Sequence, residues 1–113
     1  MARVSKISEA PPLAVEEALK RLGRNIRTAR LRRRLTEQQL AERIGVSRKV
    51  VGDIETGKRT TAIAAYIGAL WALGLSGDLS AVADPDRDEE GKALERSRSP
   101  RTAPKRRALD DDF

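Results

Sequence analysis

Apolar side chains recur along the middle of the chain with helical spacing. Val15, Ala18, Leu19, Leu22, Ile26 and Ala29 fall within one arc of about 100° on a helical wheel. Arg21, Arg24, Arg27 and Arg34 take the opposite side and Arg30 the border. Pro11 and Pro12 stand just ahead, so the pattern predicts an amphipathic helix beginning after them. Arg32–Arg34 crowd its C-terminal end, where cations complement the helix dipole. Thr36 then has the character of an N-cap, and Gln39 three residues on completes a capping box. The next helix, about Glu37–Ile44, places Leu40, Ala41 and Ile44 on one face and stops at Gly45, which accepts a left-handed turn at little cost. Ser47 caps a helix through about Glu55, with Val51 and Ile54 inward and Gly57 as its stop. Ala62–Leu73 reads as a fourth helix that packs through Ile63, Ile67 and Leu70, with Trp71 in the core or at a dimer surface. Ser76–Ala83, with Leu75, Leu79 and Val82, is a fifth helix or a short strand.

The flanks differ in character. Met1–Pro12 lacks apolar periodicity and reads as a flexible arm. From Asp84 to Phe113 the chain is dense in charge and poor in apolar anchors, so a mostly disordered tail is expected, with a helical turn or two around Glu89–Arg96. The folded part is therefore placed at residues 13–83. A domain of that size buries about 60% of the surface of its unfolded chain, a thin core that dimerisation would help.

Composition narrows the function classes. The 113 residues contain no Cys and no His, which removes disulfides, Cys/His metal sites, thiol catalysis and His-dependent triads. One Trp, one Tyr and one Phe leave little material for an aromatic-lined ligand pocket. No catalytic constellation and no cofactor or metal site is expected, so the chain does not read as an enzyme. The longest apolar stretch, around Ala62–Leu75, is too short for a bilayer span, and no signal-peptide pattern opens the chain, which points to the cytoplasm. Net charge is +6, unevenly placed: residues 1–83 carry +7 and residues 84–113 carry −1. The basic excess lies on the foldable part, as expected of a polyanion-binding surface.

The run EQQLAERIGVSRKVVGDIETGK, Glu37 to Lys58, is the informative unit. Two short helices meet across a tight turn. Ala41 must be small where the second helix crosses, Gly45 must take the turn, and Leu40, Ile44, Val46, Val51 and Ile54 must be apolar to hold the crossing. With its neighbours Leu22 to Leu75, this run resembles the helix-turn-helix domain of the Xre/Cro-type family, which includes phage repressors. The resemblance implies an all-α fold, a compact five-helix bundle like that of the lambda repressor, usually a homodimer on a near-palindromic operator in double-stranded DNA. Its third helix lies in the major groove.

Carried over by position, the resemblance makes Ser47–Ile54 the recognition helix, with Ser47, Arg48, Lys49, Val50 and Asp53 at base-reading positions. A guanidinium donates two hydrogen bonds to O6 and N7 of guanine, and Val50 meets a thymine methyl. Asp53 accepts from a cytosine N4 or pairs with a neighbouring cation. Gly52, costly within a helix, either permits close approach to the duplex or sits indifferently at an exposed site. Gln38, Thr56, Lys58, Arg59, Arg33 and Arg34 are implied as phosphate contacts. Glu37 departs from the Gln common in the family, and a carboxylate there repels phosphate. Arg30 and Glu55 match a structural salt bridge.

The tail, GLSGDLSAVADPDRDEEGKALERSRSPR and its terminal LDDDF, resembles those of HipB-like antitoxins. That implies a repressor of its own operon that binds a HipA-like kinase toxin, with Phe113 either an apolar anchor for a partner or a solvated tip. The alternatives are a stand-alone Xre-family regulator without a toxin and a protein-bridging cofactor; the expected location is the cytoplasm, on the nucleoid when bound to DNA.

Overall fold

Proline sets the start of the long helix. Pro12 has φ −57° and ψ 150°, and its carbonyl accepts from the N–H of Glu16 at 3.1 Å, opening α2 (Leu13–Arg32) directly behind it. A computed structural model of the chain describes residues 5–98. Ahead of α2, where the sequence reads as an arm, α1 (Lys6–Glu9) forms a single turn capped by Ser5. Three short helices follow: α3 (Glu37–Ile44), α4 (Arg48–Glu55) and α5 (Ile63–Ala72). A 3-10 helix, Ser76–Ala81, stands where the sequence left helix or strand open, and no strand occurs among the described residues. The architecture is all-α, as expected. The chain divides into two compact units, one ending at Gly77 and the other beginning at Asp78.

Local chemistry fixes the boundaries of the short helices. The Thr36 hydroxyl accepts from the Gln39 N–H at 3.0 Å and the Gln39 side chain accepts from the Thr36 N–H at 2.9 Å, a complete capping box. Ser47 caps α4 through the N–H of Val50. Helices α2 to α5 end alike, with a left-handed residue after the last turn and the next N–H reaching back to close it. Those bonds run from Leu35 to Arg30 (3.2 Å), Val46 to Ala41 (3.0 Å), Lys58 to Asp53 (2.9 Å) and Leu75 to Leu70 (2.7 Å). Three of the left-handed positions hold glycine; the one ending α2 holds Arg34, at φ 56°.

The core gathers where these helices cross. Ile26, Leu40, Ala41, Val51, Ile54 and Ala69 are completely buried, and Ala29, Tyr66 and Leu73 nearly so. Ile44, Val46, Val50 and Leu22 pack against them, half-buried. On α2 the apolar arc turns inward from Leu19 onward, half-buried at Leu19 and Leu22 and buried at Ile26 and Ala29, whereas Val15 and Ala18, nearer the N-terminus, are exposed. Helices α2 and α4 approach backbone to backbone. A Cβ on Gly23 would stand 2.5 Å from the carbonyl oxygen of Ile54, and one on Gly57 would stand 2.7 Å from the Cα of Lys20.

Helix α5 packs through a face that matches the expected one only at Leu70, which is half-buried against the core. Tyr66, Ala69 and Leu73 turn inward, while Ile63 and Trp71 are 73% and 65% exposed and Ile67 is exposed as well. The Tyr66 hydroxyl donates to the Lys58 carbonyl at 2.8 Å, a bond that favours this rotation of the helix together with the burial of Ala69 and Leu73. Trp71 is therefore not a core residue.

In the second unit, Asp88 accepts from the Gly91 N–H at 2.9 Å and caps α6 (Glu89–Arg98), none of whose residues is buried. This helix includes the turn or two expected around Glu89–Arg96. The terminal basic stretch, the acidic LDDDF with Phe113, and the first four residues of the arm lie outside the described residues.

Candidate nucleic-acid interface

Both helices of the Glu37–Lys58 unit begin with a charged residue just past a cap. Ser47 spends its hydroxyl on capping, which holds the N-terminal turn of α4 in one geometry. Arg48 and Lys49 follow with side chains 70% and 76% exposed. Arg48 Nε lies 3.5 Å from the Glu37 carboxylate at the start of α3. Lys49 Nζ lies 3.2 Å from Asp53, one turn along α4, and Lys58 Nζ reaches the same carboxylate oxygen at 3.7 Å. Asp53 thus sits between two ammonium groups, the cation-pairing arrangement of the two considered for it. Val50 is half-buried against the core and keeps only part of its surface outward.

Gly52 has no atom within 4 Å of where a Cβ would stand, so no packing within the domain calls for glycine there. It lines an open groove of about 530 Å³ along α4 together with Arg48, Lys49 and Asp53. A second open groove of about 740 Å³ lies on the other side of the Glu37–Arg48 pair, lined in part by Arg27, Arg30 and Gln38.

The positions expected to touch phosphate are differently occupied. The Gln38 amide donates to Glu42 at 3.1 Å. The Thr56 hydroxyl donates to the Asp53 carbonyl at 3.1 Å. Arg33 donates to the Ala29 carbonyl at 2.9 Å, closing over its own helix end. Arg34 is exposed beside it. Arg59 donates through Nε to the Ser8 carbonyl and through Nη2 to that of Glu9 at 3.5 Å, which ties α1 to the loop after α4. Sequence reasoning had no sign of that tie, because it joins segments some fifty residues apart.

Behind the exposed face a buried ion pair braces α4. Arg30 Nε and Nη2 donate to the Glu55 carboxylate at 2.6 and 3.0 Å, and Nη1 donates to the Leu35 carbonyl at 2.8 Å. Both side chains are almost fully enclosed. The hydrogen bond to Glu55 holds the Arg30 guanidinium charged, raising its pKa above the ordinary value against the opposing effect of burial. Burial, and then the charge of Asp53, raises the Tyr66 hydroxyl above the ordinary tyrosine value.

Among the described residues, no helix is long and apolar enough to cross a membrane and no cluster of Asp and Glu could hold a metal ion. No curated protein matches the chain, and no solved structure does. The model of one family does: a helix-turn-helix domain, over residues 21–83. That span takes in the second part of α2, all of α3 to α5 and more than half of the sequence, and it includes every exposed cation described above on α4. Two capped helices meeting at a left-handed Gly45, the second with its N-terminal side chains exposed, have the geometry of such a DNA-binding fold. The chain belongs to the helix-turn-helix domain family.

Proposed function

We propose that this protein is a sequence-specific transcriptional repressor that binds a near-palindromic operator as a homodimer. The observation that carries the reading is the start of α4, where Arg48 and Lys49 project from a capped, core-braced helix. Arg48 supplies the forked donor that suits guanine, Lys49 a second base-edge donor, and Lys58 a phosphate contact. Dimerisation draws support from α5. Residues 60–77 contain no charged side chain, and Ile63, Ile67 and Trp71 stand exposed on that helix at intervals of one turn. Two domains of strong positive charge meet with least repulsion through their uncharged faces, so a second copy is the occupant proposed for this one.

Selection of bound fragments from a random duplex pool tests the reading directly. Enrichment of a two-fold related site supports it, and Arg48→Ala or Lys49→Ala should then relax selectivity. Lys58→Ala should weaken all duplexes alike and flatten the salt dependence. A pool that emerges unenriched at near-physiological salt overturns it and favours a protein-bridging role.

The finer reading is that the repressor is the antitoxin of a HipA-like kinase toxin and represses the operon encoding both. It rests on the resemblance of the charged tail after Ala83. Truncation there should abolish toxin binding while operator binding persists. Absence of a kinase gene beside this one would leave a stand-alone regulator.

A further inference from the structure

Two acidic side chains lie among the cations of the proposed DNA-reading face. Glu37 is the first residue of α3 and Arg48 the first of α4, each directly behind a capping residue whose side chain is hydrogen-bonded. The backbones on both sides of the Glu37–Arg48 pair are therefore fixed. The carboxylate is the more enclosed partner, 29% exposed against 70% for the guanidinium. It also sits at a helix N-terminus, where the dipole holds a negative charge in place. Contact is through Nε of Arg48, at 3.5 Å. A guanidinium tied at Nε retains its two terminal amino groups as a parallel fork, the edge that matches O6 and N7 of guanine.

The pairing also discriminates between acceptors. A phosphate approaching Arg48 meets the Glu37 charge and must displace it, whereas a guanine edge is uncharged and can join the pair without breaking it. Asp53 stands in the same relation to Lys49, at 3.2 Å. Resting on the DNA-reading function above, we propose that Glu37 is a positioning residue that sets base selectivity. It holds Arg48 for a guanine and withholds it from phosphate.

The test uses the full chain, the duplex selected from the random pool, and the same duplex with one G·C pair replaced or fully scrambled. Wild type should prefer the guanine at one position of each half-site by about tenfold or more, the scale of a bidentate base contact. Glu37→Gln, an uncharged near-isostere, should cut that preference several-fold and bind the scrambled duplex more tightly. Its salt dependence on that duplex should steepen by about one released counterion per half-site. Arg48→Lys, a point cation without a fork, should lose the same guanine preference. A structural role for Glu37 would instead weaken all duplexes together and lower the thermal midpoint. The inference is overturned if Glu37→Gln keeps the full guanine preference, if its losses are uniform across duplexes, or if Arg48→Lys retains selectivity at that position. A wild-type protein with no base preference would overturn the DNA-reading proposal too. A wild type that selects a site beside an unaltered Glu37→Gln overturns only the role of Glu37.

Discussion

Replacing Glu55 by Ala should come close to unfolding the domain. The carboxylate accepts two bonds from Arg30, at 2.6 and 3.0 Å, between side chains only 3% and 7% exposed. Without it, Arg30 keeps the bond to the half-buried Leu35 carbonyl and no carboxylate to balance its charge. A buried charge deprived of its partner costs about 3–5 kcal/mol. Against a total stability of about 5–15 kcal/mol for ordinary domains, and toward the lower end for a core this small, that is most of the margin. The Arg27 pair with the same carboxylate, at 3.9 Å, is lost as well but adds little to the cost, because Arg27 is 61% exposed and such ion pairs contribute about 0–1 kcal/mol. The double variant Arg30→Met, Glu55→Leu should recover most of the loss, because apolar side chains of similar volume remove both desolvation penalties. Urea unfolding followed by circular dichroism gives the midpoints of wild type, Glu55→Ala, Arg30→Met, Glu55→Leu and the double variant. The reasoning fails if Glu55→Ala costs less than about 1 kcal/mol, or if the double variant is as unstable as the sum of the singles.

Other substitutions probe the same frame from different sides. Gly23→Ala places a methyl against carbonyl oxygens of α4 at 2.5 and 2.7 Å, atoms that cannot move aside; it should destabilise by about 2 kcal/mol despite better helix propensity, seen as a lower urea midpoint. Arg34→Gly should stabilise by about 0.5–1 kcal/mol, because only at this one of the four similar helix ends does a side chain occupy a left-handed position; a lower melting temperature would show that the Arg34 side chain makes up for its backbone. Tyr66→Phe should cost about 1 kcal/mol near neutrality through the lost bond to Lys58. Because folding raises the Tyr66 pKa, the advantage of the wild type is full below the ordinary tyrosine value of 10.0 and shrinks as pH rises through the folded value. A difference in melting temperature that stays constant from pH 8 to 11, a range chosen to bracket that value, would contradict this.

What the sequence reveals here is what local chemistry decides. Thr36 with Gln39, Ser47 and Gly45 mark helix ends through bonds that span a few residues, and they stand where the pattern put them. Helix α5 is different. IAAYIGALWA is apolar on every side, so periodicity offers no preferred face, and Ile63 and Trp71 look as good as Ala69 and Leu73. The observed rotation goes with a bond from Tyr66 to a carbonyl outside the helix, which no spacing within the helix encodes. Gly23 has the same character. Its missing side chain matters only because α4 lies against it, and a close approach belongs to a pair of helices. At the proposed interface the cations are legible from their place after the cap. The Lys49–Asp53 pair is legible too, as neighbours one turn apart, while Arg48–Glu37 requires knowing how α3 and α4 cross.

The precision of α4 as a reading element comes from behind it. At its C-terminal end, Glu55 is clasped by Arg30, Gly57 lies against the backbone of α2, and the Lys58 carbonyl takes the Tyr66 hydroxyl. Val51 and Ile54 bury completely along its length. At its start the Ser47 cap fixes the backbone and Glu37 engages the first side chain. What remains to be ordered on binding is the outer part of Arg48 and Lys49, and immobilising one such side chain costs about 0.5–1.5 kcal/mol. Each already has a carboxylate partner, so part of that cost is met within the free protein. The same carboxylates lower affinity for phosphate on any duplex. On the proposed function, a face built this way would give up general attraction to DNA in exchange for a larger difference between the right base pair and the wrong one, and in a genome full of competing sites that difference, more than affinity itself, decides occupancy.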